Sequence, residues 1–297
     1  MLWRALGHIP NGFYIDVGAQ DPIVDSVSLA FYEKGWRGLH VEPTPHYAEL
    51  LRQQRLGDIV VQAAVGEKTK EIIFFEIPET GISTADATIA QQHRQRGFDV
   101  REISVSCIRL SAIFKSCKSK EIHWLKIDVE GLETQVLSSW GKSKARPWIV
   151  VVESTLPLTQ TESHAAWEPR LLTYGYEFVY FDGLNRFYVS TSQLELKNAF
   201  ATPPNVFDGF SLNGTASTTF HRLIDERHKA ELLEVLAINS EQQAYIQRLE
   251  SDLAKKDGLL DGQISVITTA VHDEVQAKPV VIKRSRSKNT KKLPAVE

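Results

Sequence analysis

Apolar residues fall into short continuous runs separated by stretches of helical spacing. Phe13–Val17 forms the first run and Gly38–Val41 the second. Ile59–Val65 is interrupted only by Gln62, as expected of a strand buried on both faces. Lys70–Ile77 and Arg101–Ile108 read as a strand pair flanking a polar segment, and Ile122–Val129 and Trp148–Glu153 as two further core strands. Between these runs, Val24, Val27, Ala30 and Phe31 predict a helix over Val24–Lys34 that ends at Gly35. Tyr47, Ala48, Leu50 and Leu51 predict a second over Pro45–Arg55, and a third covers Glu133–Trp140. Strands alternating with helices at this interval give a doubly wound α/β sheet, mostly parallel, with right-handed crossovers. The sheet is expected to finish differently. Phe178–Phe181 and Arg186–Val189 flank Asp182-Gly183-Leu184-Asn185, a turn sequence that predicts an antiparallel hairpin.

The pattern changes after residue 200. Residues 201–219 are rich in Pro, Gly, Ser, Thr and Asn and read as a linker. In 220–262, Leu232, Val235, Asn239, Gln242, Ile246, Leu249 and Leu253 recur at alternating intervals of three and four, a heptad seam. The seam suits either a coiled coil joining copies of the chain or a single amphipathic helix. Residues 263–297, with Lys283-Arg284-Ser285-Arg286-Ser287-Lys288 and Lys291-Lys292, have too little to bury and read as a basic disordered tail.

Candidate chemistry lies at the carboxyl ends of the parallel strands, where open α/β sheets bind their ligands. Asp16, Glu42, Asp128 and Glu153 each end a strand. After Asp16 the chain runs Val17-Gly18-Ala19-Gln20-Asp21-Pro22, one glycine where a dinucleotide fingerprint has three. A pyrophosphate needs that close approach, whereas an adenosyl group carrying a sulfonium needs carboxylates. The residues therefore favour S-adenosylmethionine over NAD, with Asp16 near the cationic end, Glu42 on the ribose diol, and Gly18, Ala19, Pro43 and Ala63 completing the cofactor set. Asp128, Glu130 and Glu153 are left to face an acceptor, with Asp128 as base or orienting group. A divalent cation between Asp128 and Glu153 is the alternative, disfavoured because the sequence offers no evident third oxygen ligand. Thr80–Gly97 reads as either a lid over the site or a solvated connector.

Five blocks in order carry a resemblance over roughly residues 10–210: Phe13-Tyr14-Ile15-Asp16-Val17-Gly18-Ala19, Phe31-Tyr32-Glu33-Lys34-Gly35-Trp36-Arg37-Gly38, Val41-Glu42-Pro43, Leu125-Lys126-Ile127-Asp128-Val129-Glu130-Gly131, and Phe181 to Val189. Together they resemble the FkbM-type methyltransferases. The resemblance implies a class I (Rossmann-like) fold with a seven-stranded sheet and an S-adenosylmethionine-dependent O-methyltransferase, often acting on sugar or polyketide hydroxyls. This chain departs from the family at Gln20, commonly Asn, and at Leu132, where His or a small or polar residue is usual.

Composition narrows the setting. The chain has 297 residues, is 42% hydrophobic and carries a net charge of −3, enough for one ordinary core. From Lys278 onward there are seven Lys or Arg against one acid, so the preceding body is acidic and no nucleic-acid partner is expected. Cys107 and Cys117 make neither a disulfide framework nor a metal cluster, and no apolar run reaches the ~20 residues of a membrane span. A cytoplasmic enzyme is the expectation, with a hydroxyl-bearing acceptor whose sugar or glycan nature is implied by the resemblance alone. A non-catalytic scaffold assembling through the C-terminal helix is the competing reading. His40, His46, His93, His123 and His164 lack ligand spacing, and Trp36, Trp124, Trp140 and Trp148 read as packing residues.

Overall fold

In a computed structural model of the chain, residues 1–117, 120–209 and 219–257 are described. A seven-stranded sheet is built from β1 (Phe13–Val17), β2 (Arg37–Val41), β3 (Ile59–Val61), β7 (Trp124–Ile127), β8 (Ile149–Glu153), β9 (Tyr176–Phe181) and β10 (Asn185–Ser190). Their order is β3-β2-β1-β7-β8-β10-β9, parallel from β3 to β8, with the antiparallel hairpin β9/β10 closing one edge. The hairpin turn is held by Asp182, whose Oδ1 accepts from the backbone N–H groups of Leu184 and Asn185. A smaller sheet pairs β4 (Ala64–Val65) and β5 (Glu71–Glu76) with β6 (Arg101–Ile108).

Alternation along the strands divides two cores. On one face, Phe13, Ile15, Val17, Leu125, Ile127, Val150 and Val152 pack with Leu110, Ile113 and Phe114 of α5 (Leu110–Ser116), Val136 and Leu137 of α6 (Glu133–Ser138), and Leu171 of α7 (Glu168–Thr173). On the other, Tyr14, Trp124, Ile149, Val151, Phe187 and Val189 pack with Leu2 and Leu6 of α1 (Leu2–Leu6), Phe31 of α2 (Leu29–Glu33), and Leu196 and Phe200. Tyr14 stacks on its register partner Trp124 at 4.8 Å. Gly38 makes that possible: a Cβ there would lie 2.0 Å from the Tyr14 ring.

Two expectations are corrected. The helix expected over Val24–Lys34 is only Leu29–Glu33, because Asp21 folds the preceding chain into a turn by accepting from the N–H groups of Ile23 and Val24. Ile23 and Val24 are exposed, and Val27 reaches the cavity described below. Ile59–Val65 is two strands rather than one: β3 is the sheet edge, with Ile59 42% exposed, and the chain crosses at Gln62 and Ala63 to pair β4 with β6. Helix α3 (Pro45–Gln54) and the pair β5/β6 follow the sequence reading closely, and α4 (Ala87–Gln95), capped by Asp86, lies within the polar segment between that pair.

The start of the expected linker is fastened down. Arg4 donates to both carboxylate oxygens of Asp208 and to the carbonyls of Ala199, Thr202 and Pro203. Residues 210–218 and 258–297, which include the rest of the linker, the end of the seam and the basic tail, lie outside the described residues. Helix α8 (Thr219–Asp257) forms a unit of its own, with Leu232, Leu233 and Leu236 exposed along it. No helix among the described residues is long and apolar enough to cross a membrane.

Candidate active site

The chain order of the large sheet reverses between β1 and β7, and the two strands leave it side by side. Asp128 N–H donates to the Val17 carbonyl, and Gly18 N–H to that of Val41. Gly18 then passes so close to β7 that a Cβ on it would stand 1.7 Å from the Asp128 carbonyl oxygen. Only glycine fits, and its φ of +79° is a second reason. A cavity of about 400 Å³ opens at this switch point.

Of the residues expected at the cofactor, Gly18, Ala19, Glu42, Pro43 and Ala63 line this cavity. Glu42 is held from both sides: Oε1 accepts from the N–H and hydroxyl of Thr44, and Oε2 from Gln20 N–H. These bonds aim the carboxylate and leave Oε2 a further lone pair. Burial pushes its pKa up, against those hydrogen bonds. Asp16 lies one layer beneath the wall, only 2% exposed.

Asp16 belongs to a row of ionisable groups that sequence reasoning missed. His40 on β2, Asp16 on β1 and Lys126 on β7 are register partners across three adjacent strands. His40 Nδ1 and Lys126 Nζ each stand 4.0 Å from an Asp16 oxygen, and Lys126 reaches on to Asp128 Oδ2 at 2.8 Å. At the far end, Asp58 accepts from the hydroxyl of Tyr14 at 2.6 Å and lies 2.9 Å from His40 Nε2. Lys126 is almost wholly buried, yet its pKa is raised, because Asp128 and Asp16 outweigh the desolvation that would lower it. The ammonium therefore stays charged beside both acids. A signal existed in the sequence: charged residues inside buried runs of parallel strands must face one another.

The acids expected to face an acceptor do converge. One oxygen from each of Asp128, Glu130 and Glu153 lies within 4.8 Å of the others. Burial, with Asp128 next in each case, pushes the carboxyls of Glu130 and Glu153 well above the usual range. Their loop is tightly held. Glu130 adopts φ +53° and Gly131 φ +98°; Thr84 Oγ1 donates to the Glu130 carbonyl, and Glu133 Oε1 accepts from Gly131 N–H at 3.1 Å. The segment expected to be either lid or connector contributes Thr80, Gly81, Ile82, Ser83 and Ala85 to the cavity wall. A second opening adjoins the first across Ile82, Glu130, Glu153 and Leu184, and continues along Thr155, Leu158, Thr159 and Gln160. Asp25, Glu42, Asp128, Glu130 and Glu153 face the first cavity, with Lys126 the one basic residue in its wall among the described residues. That lining offers a pyrophosphate little to pair with and turns carboxyl groups toward a sulfonium.

Residues 16–178 match the sequence model of the methyltransferase FkbM domain, more than half of the chain. The chain belongs to the FkbM methyltransferase family. It is an S-adenosylmethionine-dependent methyltransferase, which sets aside the dehydrogenase and scaffold alternatives. Solved structures with a related arrangement include a TehB-like SAM-dependent methyltransferase from Corynebacterium glutamicum, 7% identical, covering 64% of this chain and 87% of that one at a TM-score of 0.36. A methyltransferase FkbM from Methylobacillus flagellatus is 15% identical, covering 62% of this chain and 45% of that one at a TM-score of 0.34. Aeropyrum pernix fibrillarin, solved with natively bound S-adenosyl-L-methionine, is 12% identical, covering 63% and 71% respectively at 0.31. No curated protein matches the chain significantly.

Proposed function

We propose that this FkbM methyltransferase transfers a methyl group from S-adenosylmethionine to a hydroxyl of a sugar or glycan. One observation carries the reading: Glu130 and Glu153 form a wall common to the donor cavity and to the adjoining opening. An acceptor lying along Thr155, Thr159 and Gln160 would find polar partners for its hydroxyls, and Leu158 and Leu184 for its C–H faces. Gly18, Ala19, Pro43 and Ala63 would contact the donor and Glu42 its ribose diol, while Asp16 acts on the site through Lys126. The methyl passes in line from sulfur to oxygen as S-adenosylhomocysteine leaves. Asp128, paired with the Lys126 ammonium at 2.8 Å, orients the hydroxyl and takes its proton. The free, buried Cys107 and Cys117 support a reducing cytoplasm as the setting, and the exposed Leu232, Leu233 and Leu236 of α8 support pairing between copies of the chain.

The test is transfer of labelled methyl from S-adenosylmethionine to a panel of mono- and oligosaccharides, set beside phenols, amines and peptides. Asp128→Asn should lower transfer by at least ~100-fold while calorimetry shows donor affinity retained. Transfer confined to nitrogen acceptors, or normal turnover by Asp128→Asn, would sink the reading.

A further inference from the structure

We propose that Asp128, Glu130 and Glu153 seat a divalent cation of the magnesium or manganese type, which holds the acceptor through two neighbouring oxygens. This rests on the hydroxyl-transfer reading above and names how the same site would grip its substrate. Geometry is the first support. The three carboxylate oxygens lie within 4.8 Å of one another. Oxygens bound to one octahedral ion at ~2.1 Å stand ~3 Å apart when adjacent and ~4.2 Å when opposed, so the present spread closes on an ion with sub-ångström side-chain movement.

The second support is independent of that spacing. Glu130 and Glu153 are 9% and 5% exposed, and the Oε2 atom of each is buried without a hydrogen-bond partner. A buried carboxyl oxygen lacking a partner is costly whichever protonation state it holds, and a metal ion would supply that partner. The neighbouring ammonium is already engaged, since Lys126 stands between Asp128 and Asp16. On the adjacent strand, Asn185 is the register partner of Glu153 and faces the same cavity, with its Oδ1 buried and also unpartnered. The wall of one cavity thus carries Asp128, Glu130, Glu153 and Asn185, the last three each with a buried oxygen that has no hydrogen-bond partner. An all-oxygen set favours a hard ion over zinc.

The sequence argued against an ion for want of a third ligand, and Glu130 is that ligand. It is brought round by the left-handed backbone of Glu130 and Gly131, a conformation a non-glycine residue adopts at a cost and that Thr84 and Glu133 hold in place. Because Glu130 and Glu153 border both openings, an ion between them would present its remaining coordination positions toward the acceptor.

The experiment titrates the full-length, chelator-treated protein with Mn²⁺, followed by electron paramagnetic resonance and by calorimetry. About one Mn²⁺ per chain, displaced by Mg²⁺, is expected, with binding weakened at least ~tenfold in Glu130→Gln and in Glu153→Gln. Binding of S-adenosylhomocysteine to each variant verifies that it is folded, and thermal stabilisation of the wild type by Mn²⁺ gives a measurement that needs no variant. Absence of Mn²⁺ binding at ~1 mM, or equal binding by wild type and both variants, overturns the proposal. Sugar methylation at full rate in excess chelator would overturn the ion and leave the transfer reading standing. Mn²⁺ binding by a protein that methylates no hydroxyl would do the reverse.

Discussion

Replacing Gly18 with alanine tests whether β1 and β7 leave the sheet as closely as the site requires. Two costs add. The first is conformational: at φ +79° an L-residue is disfavoured by ~1–2 kcal/mol. The second is steric. The new Cβ would lie 1.7 Å from the Asp128 carbonyl oxygen, whereas contacts under 3.0 Å essentially never occur, so the two backbones must separate by at least 1.3 Å. No rotamer relieves a clash with main chain, and overpacking of this kind costs ~1–3 kcal/mol. The sum is ~2–5 kcal/mol, and because the separation moves Asp128, transfer should fall beyond what donor affinity explains. Gly97→Ala is the control: its φ is +89° and nothing lies within 4 Å of the added Cβ, so it reports the conformational cost alone. Urea denaturation of both variants, with calorimetric binding of S-adenosylhomocysteine, separates the two costs. Equal destabilisation of the two variants, with unchanged donor binding by Gly18→Ala, would refute the close approach of β1 to β7.

Two further outcomes follow from buried ionisable groups. Lys126→Met leaves Asp16 and Asp128 without their ammonium and should cost ~3–5 kcal/mol, part of which Asp16→Asn should restore in the double variant; additive losses in that cycle would remove Lys126 as the link between the two acids. His123 accepts from Phe13 N–H through Nδ1, and burial lowers the pKa of both His123 and His93. The unfolded chain therefore takes up protons that the folded chain refuses once the pH drops below ~6.5. Stability from these groups is present above that pH and is lost below it. Glu133, pushed up to about 7 by burial, has the opposite slope, so the wild type should be compared with His93→Leu/His123→Gln between pH 7.5 and 5.5. Parallel pH profiles for the two proteins would show that neither histidine is buried neutral.

Much of this molecule is written in local pattern. Parallel strands buried on both faces leave continuous apolar runs, which is why Phe13–Val17 and Ile149–Glu153 were legible, and a strand end carrying an acid marks a site edge, which is why Asp16, Glu42, Asp128 and Glu153 stood out. Illegible features depend on pairing between distant segments. Lys126 looks like a polar lapse in a strand until β7 is known to lie beside β1, and Asp58 has no role until the chain entering β3 brings it to Tyr14 and His40. The failed helix at Val24–Lys34 has a local cause. Val24 and Val27 serve the surface and the cavity mouth while Phe31 packs in the core, and the Asp21 turn overrides their shared periodicity. Glu130 was recognised as an acid near the site, but its inward aim depends on a backbone conformation that composition does not specify.

On the proposed reading, with Asp128 orienting the acceptor, chemistry and selectivity fall to different parts of this fold. Asp128 is fixed by three constraints from the sheet: its N–H on Val17, its carbonyl against Gly18 and its carboxylate on Lys126. An in-line displacement loses rate steeply when the reacting atoms are misaligned by about an ångström, so placing the orienting acid on main-chain contacts between two central strands keeps it where the donor needs it. The acceptor side is built otherwise. Thr155, Leu158, Thr159 and Gln160 lie on a connection between β8 and α7, and Leu158 holds a left-handed backbone with its side chain 56% exposed. Such a segment tolerates substitution without disturbing the core. The sheet can thus keep one reaction while this connection and residues 80–85 change the molecule that receives the methyl group.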